Sequence, residues 1–295
     1  MAELSAACHS LSTMSRSYPA KVLLFGEHTV LRGGRGLAVP YPEFSLRWEQ
    51  QRPDERLVQF SDYLRTTISP ELLDSEALAD ALLSNWRLVG DIPTGYGLGS
   101  SGAVCAAIWD VYATDKGKAL SGDALRHQLA QMEKYFHGTS SGTDPLISYL
   151  NAPVLLGGGA PPEPVQLPPN WQEGFFLLDT GKERKASTFV DHFTDRYDND
   201  AEFTAAADTE WKGAANAAIE AILASDRGTL ERHMRRVSAF QFRELPSFIP
   251  EGLHPHWIHE NYVLKICGAG GGGMMLGYTT DRDSVGSIPG HIRWM

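Results

Sequence analysis

Short apolar runs separated by glycine- and proline-rich turns alternate along the chain with stretches of helical periodicity. Lys21 to Phe25 (KVLLF) is too short and too uniformly apolar for a helix and reads as a buried strand, entered from a polar lead-in and left through Gly26-Glu27-His28 and the Gly33-Gly34 turn. Leu37 to Val39 and Phe44 to Trp48 read as strands, with Pro40 and Pro42 marking an edge or bend between them. Arg56 to Phe60 and Trp86 to Val89 are short and β-like, and Leu72, Leu73, Leu78 and Leu82 form an incomplete helical stripe between them. Ala103 to Ala113 predicts a helix, and Ser121 is placed to cap another whose apolar face is Leu125, Leu129, Met132 and Phe136.

Beyond Gly157 to Pro169, where glycines and prolines crowd together, Phe175 to Leu178 reads as a strand. Trp211, Ala215, Ile219 and Ile222 mark one helical face, and Leu230, Met234, Val237 and Gln241, with Phe240 beside them, mark another. Tyr262 to Cys267, Met274 to Tyr278 and His291 to Trp294 supply late strands. The irregular alternation predicts an α+β fold in two layers, without internal repeats or a repeating βαβ unit. The Gly/Pro cluster divides the chain into expected domains 1–158 and 159–295.

Composition narrows the function. Lys and Arg number 26 against 36 Asp and Glu, a formal charge of −10 that argues against nucleic acid or an anionic membrane as partner. A hydrophobic fraction of 42% is ordinary for a globular protein and excludes extensive disorder. Cys8, Cys105 and Cys267 are odd in number and widely spaced, which removes a disulfide framework and fits a reducing cytoplasm. No apolar run approaches a membrane span, and Met1 to Tyr18 lacks the core of a signal peptide.

Three segments could carry chemistry. Pro93-Thr94-Gly95-Tyr96-Gly97-Leu98-Gly99-Ser100-Ser101-Gly102 lies between a strand and a helix, where glycine N–H groups and a helix N-terminus suit polyphosphate and Ser100 and Ser101 offer hydroxyls to phosphate or metal. A flexible turn with Ser101 as N-cap is the plainer reading. The same residues satisfy G-x-G-x-x-G through Gly97, Gly99 and Gly102, but so do Gly268, Gly270 and Gly273, and no Walker-type lysine motif is present. In the second segment, Glu133 stands near the C-terminal end of its helix, where a carboxylate gains nothing from the dipole unless a cation such as magnesium offsets it. Asp144 follows Ser140-Ser141-Gly142-Thr143, a turn from which a carboxylate can point into a cleft; a solvated Glu and a capping Asp are the alternatives. The third segment, Gly268-Ala269-Gly270-Gly271-Gly272-Gly273, invites close approach of a ligand or another loop.

Taken in order, these segments resemble the GHMP kinase superfamily, named for galactokinase, homoserine kinase, mevalonate kinase and phosphomevalonate kinase. Pro19 to His28, Pro93 to Gly102 and Ile266 to Gly273 are similar to its three motifs, and Pro19 to Val30 is similar to the mevalonate kinase branch apart from Ala20 for Gly. Glu133 and His137 to Pro145 resemble that branch's Glu followed by H-G-x-P-S-G-x-D-N, with the two carboxylates eleven residues apart. Ser140 replaces its Pro, Pro145 its Asn, and Gly102 the Ala that follows the serine pair. Thr180 to Val190 aligns loosely with its substrate-side strand.

The resemblance implies a ribosomal-protein-S5-domain-2-like N-terminal domain, binding ATP and magnesium, and a ferredoxin-like C-terminal domain, with the active site in a groove between them. It implies Asp144 as catalytic carboxylate and Lys21 as its charged neighbour. ATP phosphates would be wrapped by Pro93, Gly95, Gly97, Leu98, Gly99, Ser100, Ser101 and Gly102. Magnesium would be held by Ser101 and Glu133, and the acceptor would lie near Glu27, His28, Gly270 and Gly271. Lys182, Arg184 and Lys185 stand where they could meet an acidic substrate. The implied reaction is ATP-dependent phosphorylation of a small-molecule hydroxyl, mevalonate to 5-phosphomevalonate in isoprenoid synthesis, in a compact cytoplasmic enzyme for which a homodimer is left open. Phosphomevalonate kinase, a sugar kinase, a non-turning-over ligand sensor of the same fold and a nicotinamide oxidoreductase built on Gly97 to Gly102 are the rival readings. His254, His256 and His259, and Arg232, His233, Arg235 and Arg236, read as surface features and not as a metal site or a nucleic-acid contact.

Overall fold

The computed structural model describes residues 16–52, 54–184 and 186–295; Cys8 and Lys185 lie outside them, as does most of the N-terminal lead-in. The architecture is α+β with two antiparallel sheets. The first has five strands: β1 (Tyr18–Phe25), β2 (Arg35–Gln50), β3 (Trp86–Gly90), β4 (Val154–Gly157) and β5 (Glu163–Pro164), in the order β1-β2-β4-β5 with β3 also paired to β2. The second has four, β6 (Phe175–Asp179), β7 (Val263–Ile266), β8 (Met274–Tyr278) and β9 (His291–Trp294), in the order β7-β8-β6-β9.

Pro40 and Pro42 do not break β2 into two strands. Residues Arg35 to Ala38 pair with β4 and Leu46 to Gln50 pair with β3, so both prolines fall between these two ladders, where a missing N–H costs neither of them a bond.

The helices are α1 (Glu55–Thr67), α2 (Ser75–Leu83), α3 (Ser100–Tyr112), α4 (Asp115–Lys118), α5 (Gly122–His137), α6 (Thr143–Leu150), α7 (Ala186–Asn199), α8 (Ala201–Ala206), α9 (Gly213–Leu223), α10 (Arg227–Glu244) and α11 (His254–Trp257). Arg56 to Phe60, expected to be β-like, is the start of α1. The Asp54 side chain accepts the Arg56 N–H, and Leu57, Phe60, Ser61 and Leu64 are buried at i, i+3, i+4 and i+7. Ser121 stands at the N-cap of α5, yet its side chain makes no capping bond. The loosely aligned substrate-side strand after Thr180 is instead a loop leading into α7.

By proximity the chain forms two compact units. Unit 1 contains described residues up to Lys21 together with Pro40–Ile92 and Gly99–Ala152; unit 2 contains Val22–Val39, Pro93–Leu98 and Pro153–Met295. In unit 1, α3 carries nine buried residues, among them Trp109, and packs against α5 and α6. In unit 2, α9 and α10 pack on each other, with α10 on β7, around Trp211, Phe240 and Trp257. Among the described residues no helix is long and apolar enough to cross a membrane.

Candidate functional site

Unit 1 gathers seven of the sequence-predicted residues, Lys21, Gly99, Ser100, Ser101, Gly102, Glu133 and Asp144. Lys21 lies on β1 with a side chain only 10% exposed, and its Nζ stands 3.1 Å from Asp144 Oδ1. Asp144 sits in the first turn of α6, where the positive end of the helix favours a carboxylate. Gly99 is the N-cap of α3 and takes φ 74°, a left-handed conformation that strains any other residue type except Asn or Asp. A side chain there would meet Lys21 Cγ at 3.0 Å and Asp144 Oδ2 at 3.3 Å, so the turn lies against the ion pair. Ser100 and Ser101 follow as the first residues of α3, so Ser101 is inside the helix and does not cap it.

Beside the pair lies a hydroxyl–carboxylate network. Ser101 Oγ donates to Glu133 Oε1 at 2.9 Å, and His137 Nε2 is 2.9 Å from the same hydroxyl. Ser101 has one proton to give, so His137 is the donor in the second contact. Ser140 Oγ donates to Glu133 Oε2 at 2.5 Å and accepts the Gly142 N–H. Sequence reasoning passed over both His137 and Ser140. Ser140 was visible only as a departure from a motif, and no local pattern announces it as a carboxylate ligand.

Glu133 is 5% exposed. Burial, and then the negative charge of Asp144, raise its carboxyl to about 7, against the lowering effect of the two serine hydroxyls and Lys21. A buried carboxylate with hydroxyl neighbours offers the hard oxygen donors magnesium prefers, and a divalent cation would relieve the cost of ionising it. Among the described residues no group of three or more His, Cys, Asp or Glu is placed to hold a metal by itself.

Unit 2 holds the remaining predicted residues, in a different setting. Glu27 is 1% exposed and forms a fully buried ion pair with Lys265 of β7, whose Nζ also donates to the Ile266 carbonyl. His28 is 5% exposed, with its ring against Phe193, Trp211 and Phe248. Its Nε2 lies 3.1 Å from the Ala269 carbonyl and must donate to it, leaving Nδ1 as a buried acceptor with no hydrogen-bond partner among the described residues. Burial holds the imidazole down at about 4, a direction that the Arg184 charge reinforces and the Ala269 bond opposes, so His28 is neutral at neutral pH.

The Gly268–Gly273 segment is packed from within the unit. A side chain at Gly270 would meet the Phe248 carbonyl at 2.9 Å, and one at Gly271 would run into the Phe189 ring. The protein itself therefore fills the space on the side-chain side of both glycines, and a ligand could reach only their backbone. Arg184 lies against Gly97 and Gly268 together, which ties Pro93–Leu98 to the later glycine segment, and its N–H donates to the Gly95 carbonyl at 3.3 Å. Lys182 gives its carbonyl to Gly273 N–H.

Two of the three histidines, His254 and His259, are held by local contacts. His254 Nε2 faces the Pro246 and Ile249 carbonyls at 3.2 and 3.1 Å, and His259 stacks on Tyr262. Arg235 binds Glu231 and the His259 and Glu260 carbonyls, bracing the same loop.

Comparison with known proteins finds likenesses in sequence and in fold. Residues 71–152 match the family described as GHMP kinases N terminal domain, a span containing the Gly99 turn, Ser101, Glu133 and Asp144. A mevalonate kinase of Archaeoglobus fulgidus is 28% identical over 292 residues, covering 93% of this chain and 95% of that protein. Among solved structures, the L. major mevalonate kinase in complex with R-mevalonate superposes with a TM-score of 0.61 at 19% identity, covering 92% of this chain and 89% of that one. The Streptococcus pneumoniae phosphomevalonate kinase in complex with phosphomevalonate and AMPPNP gives 0.63 at 17% identity, covering 92% and 94%. The two-sheet α+β architecture is thus the GHMP kinase fold, and residues 71–152 carry the match to the GHMP kinases N terminal domain.

Proposed function

We propose that the protein transfers the γ-phosphoryl group of ATP to a hydroxyl of mevalonate, giving 5-phosphomevalonate. The observation that carries this reading is the Lys21–Asp144 pair at 3.1 Å, set against the Gly99 turn and beside the Ser101–Glu133 couple. Asp144 orients the acceptor hydroxyl and takes its proton as the oxygen bonds to the γ-phosphorus. The bond from that phosphorus to the bridging oxygen breaks and ADP leaves. Little covalent work falls to the protein in such a loose transition state, so placement and charge dominate. Lys21 pairs with Asp144 and neutralises charge on the transferring group.

Gly95, Gly97, Leu98, Gly99, Ser100, Ser101 and Gly102 receive the ATP phosphates through backbone N–H groups and the α3 N-terminus, with Pro93, which has no N–H, at the head of the segment. Ser101 and Glu133 would hold magnesium, with nucleotide and water oxygens completing its shell; bound there, it would screen the phosphate charge. In unit 2, Glu27 acts through Lys265 and His28, and the His28 Nδ1 and the Gly270 and Gly271 backbone are the atoms left for an acceptor. Arg184 is a further cation for its anionic end. We assign ATP and magnesium binding to 1–158 and the remaining fold to 159–295. The buried cysteines Cys105 and Cys267 suit the cytoplasm.

The archaeal relative's name supports mevalonate, and the phosphomevalonate kinase likeness makes phosphomevalonate the alternative acceptor. ADP release screened over mevalonate, phosphomevalonate, galactose and homoserine separates them. The proposal expects mevalonate to give the highest kcat/KM, and preference for any other acceptor by tenfold or more refutes it.

A further inference from the structure

The contact that sets the height of Asp144 is made by two residues without ordinary side-chain chemistry. Gly102, in the first turn of α3, and Pro145, directly after Asp144 in the first turn of α6, are both buried. A methyl group at Gly102 would lie 2.7 Å from the Asp144 carbonyl carbon, 2.7 Å from the Pro145 nitrogen and 2.9 Å from Asp144 Cβ. These separations are well inside van der Waals contact, and two of the three atoms met are backbone atoms that cannot swing aside. The two helices therefore touch backbone to backbone, because one side lacks a Cβ and the other lacks an N–H. Pro145 loses no helical bond there, since first-turn N–H groups have no partner within the helix, and its ring fixes φ in the helical range.

The consequence falls on Asp144. Its own backbone forms one wall of the contact, while its carboxylate reaches Lys21 and the Gly99 turn. We infer that Gly102 and Pro145 form a matched positioning pair that sets Asp144 against Lys21, and that the glycine and the proline at these positions depend on each other. Pro145 touches no reacting atom, and what Gly102 offers the ATP phosphates is its backbone N–H, which an alanine retains. The inference rests on the assignment of Asp144 as the catalytic carboxylate, but the contact itself does not.

Gly102→Ala is the direct test. Alanine is the better helix former, so a residue that mattered only through helix propensity would raise Tm on this change. The matched contact predicts that Tm falls, and that a crystal structure of the variant shows the Lys21 Nζ–Asp144 Oδ1 separation opened beyond 4 Å. An unchanged separation with an unchanged or raised Tm overturns the inference whether or not mevalonate is the acceptor. In ADP-release assays with ATP and mevalonate, kcat is expected to fall tenfold or more with KM for ATP within threefold, because a misplaced group of about 1 Å costs rate and not nucleotide affinity. A rise in KM for ATP at unchanged kcat contradicts it. Pro145→Ala adds no clash and folds without obstruction. It is expected to lower kcat severalfold by freeing the first turn of α6, and an unchanged kcat counts against the pair. Failure of the wild-type protein to phosphorylate mevalonate refutes the acceptor and leaves the Tm and distance arms to decide the inference.

Discussion

Lys265→Met should unfold unit 2 far more readily than an ordinary surface change. The side chains of Lys265 and Glu27 are both 0% exposed and pair with each other, so removing the ammonium leaves a buried carboxylate without its Lys265 counter-charge. Losing one partner of a buried ion pair typically costs about 3–5 kcal/mol, whereas replacing both with apolar residues of similar volume is close to neutral. A loss of about 4 kcal/mol is roughly a thousandfold in the folding equilibrium and, for a protein of this size, about 10 °C in Tm. Urea unfolding followed by tryptophan fluorescence and circular dichroism would measure it, with coincident transitions required before a free energy is extracted. Glu27→Leu combined with Lys265→Met should recover at least half of the loss. If the single variant costs less than about 1 kcal/mol, or the double variant is no better, the pair is not the internal support of the Glu27-His28 corner that its burial implies.

Three further predictions follow from the same geometry. Glu133 has its folded pKa raised by burial and by Asp144, so the metal-free protein should lose stability as pH rises from about 4.5 to about 7, and Glu133→Gln should flatten that part of a Tm–pH profile. The Tm gain from magnesium with a non-hydrolysable ATP analogue should accordingly be larger at pH 7.5 than at pH 5.5. His28 has the opposite sign: a folded value near 4 means its contribution is complete above pH 6.5 and is lost as pH falls through 4, on the order of 3 kcal/mol, and an NMR titration of the ring should show it neutral at pH 6. Gly99→Ala forces a methyl group into φ 74° against Lys21 and Asp144, and should cut kcat more than tenfold while costing about 1–2 kcal/mol of stability.

Much of the fold could be read from apolar spacing, because the buried faces of α5, α9 and α10 follow helical periods and the short strands are bounded by glycine or proline. Arg56 to Phe60 misled because this five-residue window contains three apolar side chains, Leu57, Val58 and Phe60, whose spacing fits either structure; Asp54 and Leu64, just outside it, decide for the helix. The prolines of β2 misled because a strand can change partners along its length. At the site, the order of the glycine and carboxylate segments pointed to Lys21, Ser101, Glu133 and Asp144, which unit 1 brings together. Partners distant in sequence were harder to see. Lys265 lies between the buried Leu264 and Ile266, and a lysine inside an apolar strand signals a buried counter-charge, yet nothing local names Glu27, 238 residues away. Gly102 and Pro145 are legible one at a time as unusual residues, and only the structure makes them neighbours.

The account turns on Lys21 and Asp144, and its most direct test is ADP release from ATP and mevalonate by the wild-type protein, Asp144→Asn and Lys21→Met, with circular dichroism confirming that each variant is folded. Both side chains act on charge that develops during transfer, so each replacement should lower kcat by about a hundredfold or more. Near-wild-type turnover by both folded variants would contradict it.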